Sequence, residues 1–252
     1  MSENRMVAVC DILGYSNLVR EHSLQELIDY HLGNILNVIK SSIPVMERNI
    51  TSPTQLELLR TGMVGHVAFS DTVIIYSLND DRDGRKNVLD AVYRLLCIPM
   101  NTPYYRYRVG ISYGEMYVDR DEGIYIGKAL IEAHDLEVLQ EWSGAALSES
   151  ATNMFKDYFP ENSMLVDYDV PIKKDKTKRL TVVNWTLANH EIVPAQKNWM
   201  WRIEKGQRVS RYKDPQIERK VRNTEKFHFD KCVQCCHGNT TFKFSGPKGP
   251  GC

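Results

Sequence analysis

The chain has 252 residues, 42% of them hydrophobic and 25% charged, with Lys+Arg and Asp+Glu at 32 each. That length accommodates one large domain, or one domain with an appendage, and the apolar share supports a packed core. A neutral balance excludes the net basic field that draws proteins to a nucleic-acid backbone, which argues against a template-copying polymerase and for no nucleic acid among the partners.

The opening MSENRMVAV lacks the basic end and long apolar run of a signal peptide. The longest apolar runs, such as TVIIYSL, suit strands and fall short of a membrane span. Cys10 and Cys97 sit alone among apolar residues, while Cys232, Cys235, Cys236 and Cys252 crowd the end. No disulfide framework follows, so a cytoplasmic compartment is expected.

In chain order, Met6–Cys10 is an apolar run ending at Asp11 and reads as a buried strand. A turn over Asp11–Ser16 leads to a helix with Leu24, Leu27, Ile28, Ile35, Val38 and Ile39 inward, ending near Pro44. Met63–Phe69 and Thr72–Leu78, parted by Ser70 and Asp71, form a hairpin. Its corner lacks Asn-Gly or Asp-Gly, so something other than turn propensity must hold it. Asn79–Gly84 is a loop and Asn87–Leu96 a helix with Val88, Val92, Leu95 and Leu96 inward.

Tyr105–Ser112 alternates as a strand, and Gly114 turns into Glu115–Val118. Gly127 opens a helix through about Gln140, with Leu130, Ile131, Ala133 and Leu136 on one face. Ala145–Leu147 is a short strand, and Ser148 caps the helix that carries Met154, Phe155 and Tyr158. Strands over Met164–Asp167 and Leu180–Leu187 flank the basic stretch Lys173–Arg179. The order predicts an α+β fold, a mostly antiparallel sheet with helices on one face. The domain is expected over residues 1–188, with 189–252 a partly ordered C-terminal extension rich in charge and proline.

Two aspartates stand out. Asp11 ends a strand with almost no polar residues, and Asp71 lies at the corner of an apolar hairpin. A carboxylate beside a buried strand is costly unless it is paired or holds a cation. Aspartate is also a preferred turn residue, so loop capping is the alternative reading. Two carboxylates on adjacent strands suit Mg²⁺ or Mn²⁺, which take a couple of protein oxygens plus phosphate oxygens.

The motifs VAVCDILGYSNLV, MVGHVAFSDTVIIYS, RYRVGISYGEMYV and YIGKALIEAHDLE, in that order over roughly residues 5–188, resemble those of the class III nucleotidyl cyclases. The resemblance implies a ferredoxin-like catalytic core and a homodimer with sites at the interface. It also implies two-metal cyclisation of a nucleoside triphosphate, with Asp11, Asp71 and the Ile12 carbonyl as ligands. The purine-reading lysine and acidic residue of that family fall on Val67 and Ile124, whose side chains cannot hydrogen-bond a base. The family's transition-state asparagine and arginine fall on Ile131 and Asp135.

Among class III cyclases the chain is similar to the bacterial pyrimidine cyclases of the Pycsar anti-phage system, which keep both metal aspartates and lack the purine-reading pair. That similarity implies a cyclic UMP or cyclic CMP messenger acting on a separate effector, with UTP favoured over CTP. By position, Lys174 or Lys176, with Lys173 also in range, would face the triphosphate; a solvated basic loop is the alternative. Arg108 and Lys128 are further phosphate candidates, the latter at a helix start where a bound anion would offset its charge. Tyr15 and Phe69 are candidates to stack on a base, and equally readable as packing residues. Two other readings stand beside this one: a purine cyclase with an unusual pocket, and a catalytically silent cyclase-like module.

The end of the chain carries Cys232-x-x-Cys235-Cys236-His237 and, later, Cys252. One Cys-x-x-Cys pair without the expected second pair leaves zinc and free thiols both open.

Overall fold

The computed structural model describes residues 3–32, 64–97, 106–156, 164–187, 201–204, 207–210 and 215–232. Strand β1 (Glu3–Ile12) lies at the centre of a sheet. On one side it pairs antiparallel with β3 (Thr72–Ser77), which pairs with β2 (Val64–Phe69). On the other side it pairs antiparallel with β4 (Tyr107–Asp119). The order β2-β3-β1-β4 is a ferredoxin-like arrangement. Strands β5 (Ile124–Gly127), β6 (Gly144–Leu147), β7 (Leu165–Ile172) and β8 (Lys176–Val183) extend it, and among the described residues only the β4–β6 pairing is parallel.

Among the described residues two principal helices cover this sheet, one on each face, rather than both on one face. Met6, Ala8 and Cys10 pack with Val88, Leu89 and Val92 of α3 (Arg82–Cys97). The alternate residues Val7 and Val9 pack with Ala129 and Ala133 of α4 (Lys128–Leu139). A strand buried on both faces needs an unbroken apolar run, which is what MVAVC supplies. Gly110 makes the α4 contact possible: a β-carbon there would lie 2.0 Å from the Ala133 carbonyl oxygen.

Several local expectations change. Gly114 does not turn the chain, because it pairs with Arg5 inside the continuous β4; the turn comes after Asp119. The basic stretch is not a loop: Lys173–Asp175 is the turn, and Lys176 already starts β8. The predicted first helix is split into α1 (Tyr15–Glu21) and α2 (Leu24–Glu26), the second started by a Ser23/Glu26 capping box and followed by a π-helical turn over Leu27–Leu32. Leu24 and Ile28, expected inward, are 73% and 48% exposed, and Ile131 on α4 is 63% exposed. Residues Ile35 to Pro44 lie outside the described residues. Ser148 does cap α5 (Glu149–Asn153), its hydroxyl accepting from the Ala151 amide.

Packing continues past residue 188. Strands β9 (Trp201–Glu204) and β10 (Gln207–Ser210) form a separate hairpin. Helix α6 (Pro215–Lys231) then places Phe227, fully buried, against Trp142, Tyr168 and Trp185, with ring centroids 4.8, 4.9 and 5.6 Å away. The contacts with Trp142 and Tyr168 are edge-on, a geometry that adds to the apolar burial itself. Cys232 is buried at the end of α6; Cys235, Cys236, His237 and Cys252 lie outside the described residues. Among the described residues, no helix is long and apolar enough to cross a membrane.

Candidate active site

Asp11 and Asp71 come together at one end of the sheet. Asp11 is paired in register with Thr72, immediately after the hairpin corner, and the Ile12 amide donates to the Asp71 carbonyl at 3.2 Å. That bond from a third strand helps hold the corner, whose Ser70 adopts the left-handed region at φ 56° without being a glycine. Such backbone costs on the order of 1–3 kcal/mol and persists where its surroundings dictate it.

Asp11 shares its face of the sheet with Arg108, its cross-strand partner on β4. The Arg108 Nη2 donates to Asp11 at 3.3 Å, its Nε to Glu137 of α4, and its Nη1 to the Gln140 carbonyl at 3.1 Å. Arg108 is 9% exposed and Glu137 3%. Burial pushes the Asp11 carboxyl up to about 7, with Glu137 adding to the rise, Arg108 opposing it, Asp71 raising it further and Lys220 lowering it. The single guanidinium is thus shared between two carboxylates, and Asp11 remains short of positive charge.

This arrangement fits a divalent cation. Among the described residues no group of three or more His, Cys, Asp or Glu forms a full cage. Mg²⁺ and Mn²⁺ bound to nucleotides need only one or two carboxylates, and the charge deficit at Asp11 supplies the attraction.

The remaining predicted residues fall at two ends of the molecule. Tyr15, partly buried, packs against the main core just after the turn that follows β1. Val67 is half-buried on β2, and Phe69, 84% exposed, stands beside the corner. Ile124 and Lys128 lie at the other end: Ile124 pairs with Asp119 and Gly127 with Met116, itself opposite Glu3. At about 3.4 Å per residue, the ends of β1 are roughly 25–30 Å apart. Lys128 is exposed and 3.9 Å from Glu115. Ile131 and Asp135, both exposed, continue its stripe along α4. Within one chain, then, Ile124 does not meet Val67 and Lys128 does not meet Asp11.

Lys173, Lys174 and Lys176 are exposed around the β7–β8 turn, where Lys174 and Asp175 take left-handed φ values of 67° and 54°. The turn is tied to α6 through Arg219, which bonds Asp175 at 2.7 Å and Glu141 at 3.1 Å.

Two groups in this region, Glu137 and Lys220, were not singled out from the sequence. Glu137 follows the buried positions Ala129, Ala133 and Leu136, and a carboxylate on an apolar stripe is a readable signal for a buried partner. Lys220 had no such signal.

No protein-family model matches the chain, and no curated protein matches its sequence. Solved structures do. The catalytic core of a rhodopsin-guanylyl cyclase with converted specificity, in complex with ATPαS, is similar with a TM-score of 0.54 at 13% identity, over 73% of this chain and 96% of that one. A dimeric guanylyl cyclase domain of the RhoGC fusion protein from the aquatic fungus Blastocladiella emersonii gives 0.53 at 15%, over 73% and 98%. The adenylyl cyclase CyaB from P. aeruginosa gives 0.50 at 18%, over 73% and 94%. At these identities the likeness is one of fold: the chain has the fold of class III nucleotidyl cyclase catalytic domains.

Proposed function

We propose that the protein is a metal-dependent nucleotidyl cyclase acting on a pyrimidine nucleoside triphosphate, UTP ahead of CTP, and releasing pyrophosphate. The observation that carries the reading is the pair of Asp11, on β1, and Asp71, at the β2–β3 corner beside it, at the end of the sheet where Asp11 has only a share of the Arg108 charge. In the reaction the ribose 3′-hydroxyl gives up its proton to solvent water as its oxygen bonds the α-phosphorus, the bond from the α-phosphorus to the oxygen bridging it to the β-phosphate breaks, and pyrophosphate leaves with that electron pair. Mg²⁺ or Mn²⁺, two ions per site, would be held by Asp11, Asp71 and the Ile12 carbonyl, and would supply charge stabilisation at the phosphates. Arg108 holds the Asp11 carboxylate in place from behind, through its bond at 3.3 Å.

Support for a pyrimidine comes from Val67 and Ile124, which offer no side-chain donor or acceptor to a purine edge. Tyr15 and Phe69 are the proposed base-facing aromatics, and Lys174 or Lys176 the proposed triphosphate cations, with Arg108 and Lys128 as further contributors. Because these groups fall at opposite ends of one chain, the site is proposed to be completed across a head-to-tail homodimer. Ile126 and Ile131, each 63% exposed, and Ile124, 40% exposed, supply apolar surface for that contact. The cyclic product is proposed to act in the cytoplasm as an anti-phage second messenger on a separate effector.

The test is incubation of the full chain with Mn²⁺ and each of the four common NTPs separately, with mass spectrometry of the products. Cyclic UMP or cyclic CMP is expected. Cyclic AMP or cyclic GMP alone would replace this reading with an atypical purine cyclase. Ile131 and Asp135, where that fold family carries its transition-state groups, favour a second reading, a silent nucleotide-binding module. Nucleotide binding with no cyclic product from any NTP would establish it.

A further inference from the structure

We infer that Lys220, on α6, is a triphosphate-binding cation of the Asp11 site; this rests on the reading that the substrate is a nucleoside triphosphate. The placement follows from how α6 is docked. Asn223 Nδ2 donates to the Glu141 carbonyl at 2.7 Å, and Thr224 Oγ1 accepts from the Ser143 amide at 2.7 Å. Ser143 in turn donates to the Tyr107 carbonyl at 2.9 Å, next to Arg108. Phe227 anchors the following turn in the core. These bonds set α6 over the start of β4 and β6, and Lys220, one turn before Thr224, over the strand end where Asp11 faces Arg108.

The charges around Lys220 single it out. Its ammonium is within electrostatic reach of Arg108, Glu141, Asp11 and Lys173. The nearby carboxylates are engaged elsewhere: Glu137 and Asp11 by Arg108, Glu141 and Asp175 by Arg219. Among the described residues Lys220 has no ion-pair partner. Burial and the neighbouring Arg108 lower its proton affinity, which Glu141 and Asp11 only partly restore. Lys220 and Lys173, neither of them ion-paired among the described residues, thus stand near the Asp11 carboxylate whose Arg108 partner is already shared with Glu137, an arrangement suited to a metal-bound polyanion.

The experiment is calorimetric titration of the full chain with inorganic tripolyphosphate in Mn²⁺. Lys220→Ala is expected to weaken binding roughly ten- to a hundredfold, the range for loss of a hydrogen bond to a charged group. Lys220→Gln, which keeps the aliphatic stem, should weaken it comparably without disturbing α6. Lys226→Ala, on the same helix and paired with Asp230, should bind as the unaltered protein does. Binding by both Lys220 variants within twofold of the unaltered protein overturns the inference, as does an unaltered protein that ignores tripolyphosphate. Lys220-dependent binding without any cyclic product would sink the cyclase reading alone.

Discussion

Arg108 and Asp11 face each other across the β1–β4 ladder, and the same guanidinium is bonded to Glu137 behind them. One buried cation therefore holds two carboxylates on different elements. Arg108→Met is expected to destabilise the protein by about 3–5 kcal/mol, because it leaves buried charge uncompensated. Urea denaturation should show it, and replacing Glu137 by Gln in the same chain should recover part of the loss.

The Asp11 carboxyl, raised to about 7 from 3.8, makes the metal-free protein sensitive to pH. Between those values the folded chain holds a proton that the unfolded chain has lost. Stability from this group is therefore present at low pH and declines as pH rises towards 7. Asp11→Asn removes the penalty: relative to the unaltered protein its melting temperature should gain at pH 8 and gain little at pH 5, while Mn²⁺-dependent cyclisation is lost. Equal gains at both pH values would exclude Asp11 as the titrating group.

Phe227→Ala should cost about 3–5 kcal/mol through the cavity it opens among Trp142, Tyr168 and Trp185. A chain stopped at residue 188 should be insoluble or molten, with near-ultraviolet circular dichroism lost. A cooperative melt of that truncated chain would show α6 to be dispensable.

Ile126→Glu, on an exposed site of β5, should leave the monomer's melting temperature within a few degrees and shift the mass measured by light scattering from dimer to monomer. Cyclisation should fall with the dimer. Full activity in a monomeric variant would remove the composite site from the mechanism.

The two aspartates were legible because each interrupts an apolar run, and a charge in that setting is conspicuous. The helices were harder. Lys220 lies on a helix rich in charge, where it reads locally as one more solvated side chain, and Glu137, though on an apolar stripe, gives no local sign of which cation it meets. The close approach permitted at Gly110 brings Glu137 to Arg108, and the docking of α6 on Ser143 places Lys220. Gly114 misled for the opposite reason: glycine favours turns, but strand pairing with Arg5 overrides that local preference. The boundary expected at residue 188 followed a real shift in composition. A single aromatic ring, Phe227, carries much of the apolar burial beyond it, too little to register as periodicity.

The position of that ring also bears on synthesis. Because the Trp142–Tyr168–Trp185 cluster is closed by a residue near the end of α6, a nascent chain cannot complete its core while Phe227 is still in the ribosome. The strands that carry Asp11 and Asp71 are made first and wait longest. A protein interrupted late in translation would thus carry both carboxylates and still lack a finished fold around them.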